Sequence, residues 1–205
     1  MKKEELVNEI VKLEWNAFDK VENRGGRAEC QNDWNTFSVM RRSQYLAWPE
    51  QLLESFYADF LEANNRGWNL ITEKYGRMME STVPEEYEAI REKLPFCSEK
   101  KRAIADQIAE IQVQWMEEFA KEYPNMAMNA RSIRSAEDTP FNTSYETYLK
   151  GELLTYSDRT LALYGNWIVE LERNGDNLAK MIMTNTALLY GYVSLEAAES
   201  ALADA

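Results

Sequence analysis

Apolar residues recur along this chain at intervals of three and four, and no useful run alternates at intervals of two. Leu6, Ile10, Leu13, Ala17 and Val21 put one apolar stripe on a helix over about 3–22. "NRGG" then interrupts, with Gly25 or Gly26 suited to the left-handed turn after a helix. Asn32 or Asp33 can cap a second helix that carries Trp34, Phe37 and Met40 inward and ends near Trp48. Pro49 suits the first turn of a third. Its stripe runs from Leu53 to Met78, with Gly67 as a point of kinking.

Thr82 and Glu85 read as a capping box for a short helix closed by Pro95. Ser98 can cap the next helix, which carries Ile104, Ile108, Ile111, Trp115 and Phe119. The stretch 122–142 has the weakest pattern, the mark of a functional or flexible loop. Thr143 and Glu146 read as a second capping box, opening a long helix from Leu149 through Tyr156 to Leu171 that "RNGD" ends. Leu178, Ile182 and Leu189 mark another helix, and "SLEAAESALADA" a short last one. The expectation is an all-α fold. It is a single-domain bundle over 1–205, of about five long helices plus two or three short ones.

Composition sharpens this. Hydrophobic residues make up 45% of 205, enough for a core. Eight glycines and five prolines are few breakers, which favours long helices. The formal charge of −12 opposes phosphate backbones and anionic lipid surfaces, so no nucleic-acid or membrane partner is expected. The opening lysines precede no apolar run, so no signal peptide is expected either. Cys30 and Cys97 have no metal-type spacing and make no disulfide framework, which fits a cytoplasmic protein with reduced thiols.

The absence of histidine decides most. It excludes Ser-His-Asp and Cys-His catalysis, and any zinc or di-iron site that needs imidazole. Chemistry is left to carboxylates, Cys, Tyr, Lys, Arg or a cofactor of unknown kind. A carboxylate-only metal site would suit Mg or Mn, but no paired acidic motif stands out.

Charge placement points to one region. From Arg24 to Arg42 there are four arginines against Glu29 and Asp33, a cationic segment in an acidic chain. Arg27, Arg41 and Arg42 could hold an anionic or aromatic ligand, with Gln31, Gln44 and Tyr45 as neutral partners and Trp48 nearby. Pairing with the surplus acids and core packing of the aromatics are the competing explanations. Cys30, near a helix start and two arginines, is the candidate thiol nucleophile. Glu14, beside an apolar face, is the candidate acid or base. Glu118 and Glu152 also border apolar faces. Arg131 and Arg134 add cations to the irregular stretch.

The run from Glu14-Trp15 through Gly25-Gly26-Arg27-Ala28, Cys30-Gln31 and Trp34 to Arg41, Gln44 and Trp48 resembles an uncharacterised bacterial family, domain-of-unknown-function family 4125. The likeness spans nearly the whole chain. It implies a helical, cytoplasmic protein of one domain and supplies no catalytic residue. Two functional classes stay open: a small-molecule pocket around residues 14–48, with or without catalysis, and a non-catalytic interaction module or homodimer.

Overall fold

The computed structural model describes residues 2–23, 25–128 and 130–203. Arg24 of the arginine-rich segment lies outside the described residues. So do Asn129 of the weakly patterned stretch and the last two residues of the terminal pattern. Among the described residues there are eleven α-helices and no strand, only an isolated bridge between Thr139 and Asn142. The fold is all-α.

The helices are α1 (Lys3–Phe18), α2 (Trp34–Ala47), α3 (Glu50–Asn65), α4 (Leu70–Thr82), α5 (Pro84–Ile90), α6 (Glu99–Glu122), α7 (Pro124–Met128), α8 (Tyr145–Leu153), α9 (Asp158–Asn174), α10 (Leu178–Leu189) and α11 (Leu195–Ala203). α1 packs on α2, α3 and α4. α8 fits between α4 and α6, α9 lies on α3 and α6, and α10 runs along α2 and α6. One core joins residues from Leu6 to Ala198. At its centre Trp48 is fully buried, with its ring edge-on to Tyr45, Phe56 and Tyr164 at centroid distances of 5.0, 5.5 and 5.2 Å. Such pairs add about 0.5–1.5 kcal/mol each beyond their buried area.

Several expected boundaries move, each for a local reason. α1 stops at Phe18, four residues early, because Gln31 donates from Nε2 to the carbonyls of Phe18 (2.8 Å) and Val21 (2.9 Å). A side chain from the next segment thus takes the place of the following turn of helix. Gly26 is left-handed (φ 86°), but it belongs to a loop turn and not to the helix end. Asp33 caps α2 through the Thr36 amide. Trp34 and Met40 stay 43% and 47% exposed, so the inward face of α2 is Phe37, Arg41 and Tyr45, with Trp48 buried just past its end.

The expected third helix is two. Gly67 (φ 69°) ends α3 with a bond from the Trp68 amide to the Ala63 carbonyl, and Asn69 caps α4 through the amides of Ile71 and Thr72. Thr82 remains inside α4 and bonds the Met78 carbonyl, so Val83, not Thr82, precedes α5. Ser98 caps α6 as its position predicts. Ser144, not Thr143, caps α8. The expected long helix after it is also two, because Ser157 caps α9 at a break. Gly175 (φ 75°) then closes α9.

Candidate functional site

Four buried charges from four helices meet inside the bundle. Glu14 on α1 and Glu152 on α8 both bind Arg41 of α2. Lys74 of α4 binds Glu152. Arg41 donates from Nε and Nη2 to the two Glu14 oxygens at 2.7 and 2.6 Å, a two-pronged pairing that fixes the guanidinium plane. Its Nη1 and Nη2 each reach a Glu152 oxygen at 3.1 Å. Nη1 also donates to Gln44 Oε1 at 2.9 Å, and Nη2 to the Tyr45 hydroxyl. Lys74 Nζ lies 2.8 Å from Glu152 Oε2, and the Tyr156 hydroxyl donates to Glu152 Oε1 at 3.0 Å.

The spacing explains how one sequence brings these groups inward. Each charge sits three or four residues from an apolar core position on its own helix: Glu14 after Ile10, Arg41 after Phe37, Lys74 after Ile71, Glu152 after Leu149. The side chains of Glu14, Lys74 and Glu152 are 1%, 3% and 6% exposed. Two cations and two anions cancel. Burial alone would raise the Glu152 carboxyl, but Arg41 and Lys74 outweigh it and hold the group well below the usual carboxylate range. Burial alone would lower Arg41, and the two carboxylates reverse that. Burial pushes the Tyr45 and Tyr156 phenols up, so both stay protonated.

The cluster continues toward the surface through Tyr148 of α8. Two cations lie over its ring, Lys74 Nζ 3.6 Å and Arg131 Cζ 4.7 Å from its centroid. Burial works to raise this phenol, but Lys74 and then Arg41 prevail and bring it below its ordinary value. Tyr75 meets Tyr148 edge-on at 6.4 Å and is pushed up by burial and by that neighbour. Tyr148 is half-buried and Arg131 exposed, so this end of the cluster opens to solvent.

The residues that stand out in the sequence do not all come together. Glu14, Arg41, Gln44 and Tyr45 come together in the cluster. Arg27 and Gln31 build the loop before α2. Arg27 binds Asp19, Asn32 and the Gln31 carbonyl, while Gln31 Oε1 accepts from Asn23 and the Ala28 amide at 2.9 Å each. All of Gln31's polar capacity is spent there. Arg42 turns the other way to Asn8 at 2.7 Å, and Trp48 is core. Cys30 is exposed and close enough to Tyr75 to raise that phenol. Arg134 pairs with Glu110 and Glu117 on α6, and Glu118 accepts from Asn177.

Lys74, Tyr148 and Tyr156 were not singled out as candidates from the sequence. A charge at an inward-facing helical position was the available signal for Lys74, and Tyr148 was hidden among many tyrosines. Neither of two surface hollows is lined by residues 14–48. Among the described residues no three carboxylate or thiol side chains gather as a metal ion would require. None of the described helices is long and apolar enough to cross a membrane.

With this geometry in place, comparison with known proteins settles ancestry. The chain belongs to the family described as protein of unknown function DUF4125. The match runs over residues 4–200 and so takes in every member of the cluster. No curated protein and no solved structure matches the chain.

Proposed function

We propose that the open end of the charge cluster, at Tyr148, binds a small anionic or aromatic molecule and transfers a proton to or from it. The contact of the Tyr148 ring with both Lys74 and Arg131 carries this reading. A buried ion quartet is a poor way to stabilise a core, since apolar residues of the same volume do as well or better. Strongly shifted groups gathered in one place are the usual signature of a working site. Tyr148 supplies the proton, Lys74 stabilises the phenolate, and Arg131 meets the negative charge of the ligand. Glu14 and Glu152 orient Arg41 and Lys74 and do not themselves touch the ligand. Cys30, exposed and close to Tyr75, is the thiol available to the same ligand.

A thermal-shift screen over organic acids, nucleotides, amino acids and aromatic acids tests this. A ligand at about 100 times its Kd adds roughly 2.7 kcal/mol, enough to move the melting point. The expected hit disappears in Tyr148→Phe and in Arg131→Ala. A hit that survives both substitutions, or a flat screen, refutes the assignment.

One observation favours a second reading, a homodimer or interaction module. α10 is apolar around much of its circumference. Met181, Ile182 and Met183 are half-buried and Leu188 is 52% exposed, near the 48% exposed Tyr190. Light scattering that returns the mass of a single chain removes the homodimer.

A further inference from the structure

α8 has a second polar face, turned away from the charge cluster. There Thr147, Lys150 and Gly151 form one wall of a hollow of about 380 Å³, closed by Arg77 and Ser81 of α4 and Arg102 of α6. The volume lies within the ordinary range for small-molecule sites. Its base is rigid. A Cβ on Gly151 would stand 2.8 Å from Met78 Cγ and 3.1 Å from the Lys74 carbonyl oxygen, so α4 and α8 touch backbone to backbone.

The cations of this hollow sit deeper than its acids. Arg77 is 3% exposed and is locked by Glu73, which accepts from Nε at 2.8 Å and from Nη2 at 2.6 Å, with the Pro95 carbonyl at 3.0 Å from Nη2. Nε and Nη2 are thus both engaged, and Arg77 also lines the hollow. Arg102 donates to Glu80 at 3.0 Å and to the Tyr87 hydroxyl at 3.4 Å, and Lys150 lies 3.1 Å from Asp106 and 2.9 Å from Glu146. Arg102 and Lys150 are 38% and 33% exposed, whereas their partners on the hollow, Glu80 and Asp106, are 51% and 60% exposed. These two carboxylates form the rim. The Arg102–Glu80 and Lys150–Asp106 pairs are exposed and therefore weak, so an incoming anion exchanges them at little cost, while Glu146, 12% exposed, stays with Lys150. The Arg77–Glu73 pair is buried and stays in place. Three cations, one of them prefixed, thus converge on one space in a chain of charge −12.

We propose that this hollow binds a compact dianion, a phosphate ester or a dicarboxylate, through Arg77, Arg102 and Lys150. Two charged groups match three cations better than one does. The rim acids Glu80 and Asp106 reject larger polyanions such as nucleic acid. This site is separate from the one at Tyr148 and shares only helices α4 and α8 with it.

The test uses the intact chain with inorganic phosphate and with succinate, each against sodium chloride at matched ionic strength, read by melting point and by calorimetry. Either anion is expected to raise the melting point above the chloride control. The affinity should fall at least about tenfold in Arg102→Gln and in Lys150→Gln, each of which removes one charge-assisted bond. Both residues are half-exposed and glutamine keeps most of each side chain, so the variants are expected to melt cooperatively without ligand. Arg77 is left intact, because losing it would strand buried Glu73. A response to phosphate alone assigns the ester, and one to succinate alone the dicarboxylate. No response beyond chloride overturns the proposal, as does an undiminished response in both variants.

Discussion

Glu152→Gln is the sharpest probe of the charge cluster. The carboxylate accepts from Arg41 twice, from Gln44, from Lys74 and from Tyr156. Glutamine keeps the shape and removes the charge. Lys74, 3% exposed, then loses its carboxylate partner, and Arg41 keeps only Glu14. Breaking one side of a buried ion pair costs about 3–5 kcal/mol, a large share of the 5–15 kcal/mol typical of a domain. With a urea slope of about 2–3 kcal/mol/M, the unfolding midpoint falls by about 1–2.5 M. Lys74→Met costs a similar amount. The double variant, with neither charge left unpaired, loses well under the sum. Urea unfolding followed by tryptophan fluorescence measures all three. Acid supplies a second reading. The folded carboxyl lies below its ordinary value of about 4.3, so its contribution is complete above that pH. It is lost as pH falls further, because the unfolded chain takes up the proton first. The gap between wild type and Glu152→Gln therefore closes on acidification. A single-variant loss under about 1 kcal/mol, or a double variant that loses the full sum, would refute the view that these charges act as one unit.

Gly151→Ala forces a methyl against Met78 and the Lys74 carbonyl and is expected to cost about 1–3 kcal/mol in the same denaturation assay. Gln31→Ala uncovers the carbonyls of Phe18 and Val21. Hydrogen exchange should rise across residues 18–33 while the α6 and α9 amides stay protected. In native protein an aromatic disulfide reagent should modify exposed Cys30 faster than half-buried Cys97, and the order should vanish in denaturant. Above pH about 10 the raised phenols of Tyr45, Tyr156 and Tyr164 favour the unfolded chain, which ionises first, so stability should fall there. Tyr148→Phe should not prevent that fall, since the Tyr148 phenol is lowered, not raised.

The sequence disclosed the helices well and the site in part, for reasons visible in single residues. Apolar periodicity marks every long helix, because burying one stripe is what holds each helix in place. The same stripe could not show that α3 and α4, or α8 and α9, are separate. Asn69 and Ser157 sit where a helix could continue, and only their side-chain bonds to backbone amides turn them into caps. Half of the cluster was legible, since Glu14 and Arg41 lie in one arginine-rich region. Glu152 was noticed only as a neighbour of Leu153, and Lys74 not at all. The bonds from Arg41 to Glu152 join residues 111 apart. No local pattern encodes a contact of that range. Gln31 resembled a ligand-binding amide because a fully satisfied structural amide and a functional one look alike until their partners are seen.

The distance in sequence between these charges also bears on how the chain is made. Lys74 and Glu152 are separated by 78 residues. At about 5–20 residues per second, a ribosome spends roughly 4–16 s between them. During that interval α1 to α4 can meet and bury Leu6, Leu53 and Ile71, but Lys74 has no counter-charge to fold against. Burying Lys74 fully at that stage would leave its charge unpaired, which is costly, so the site that α8 covers is expected to stay solvated until Glu152 arrives. The charge that completes the quartet thus arrives on one short helix, with α9 to α11 still to follow.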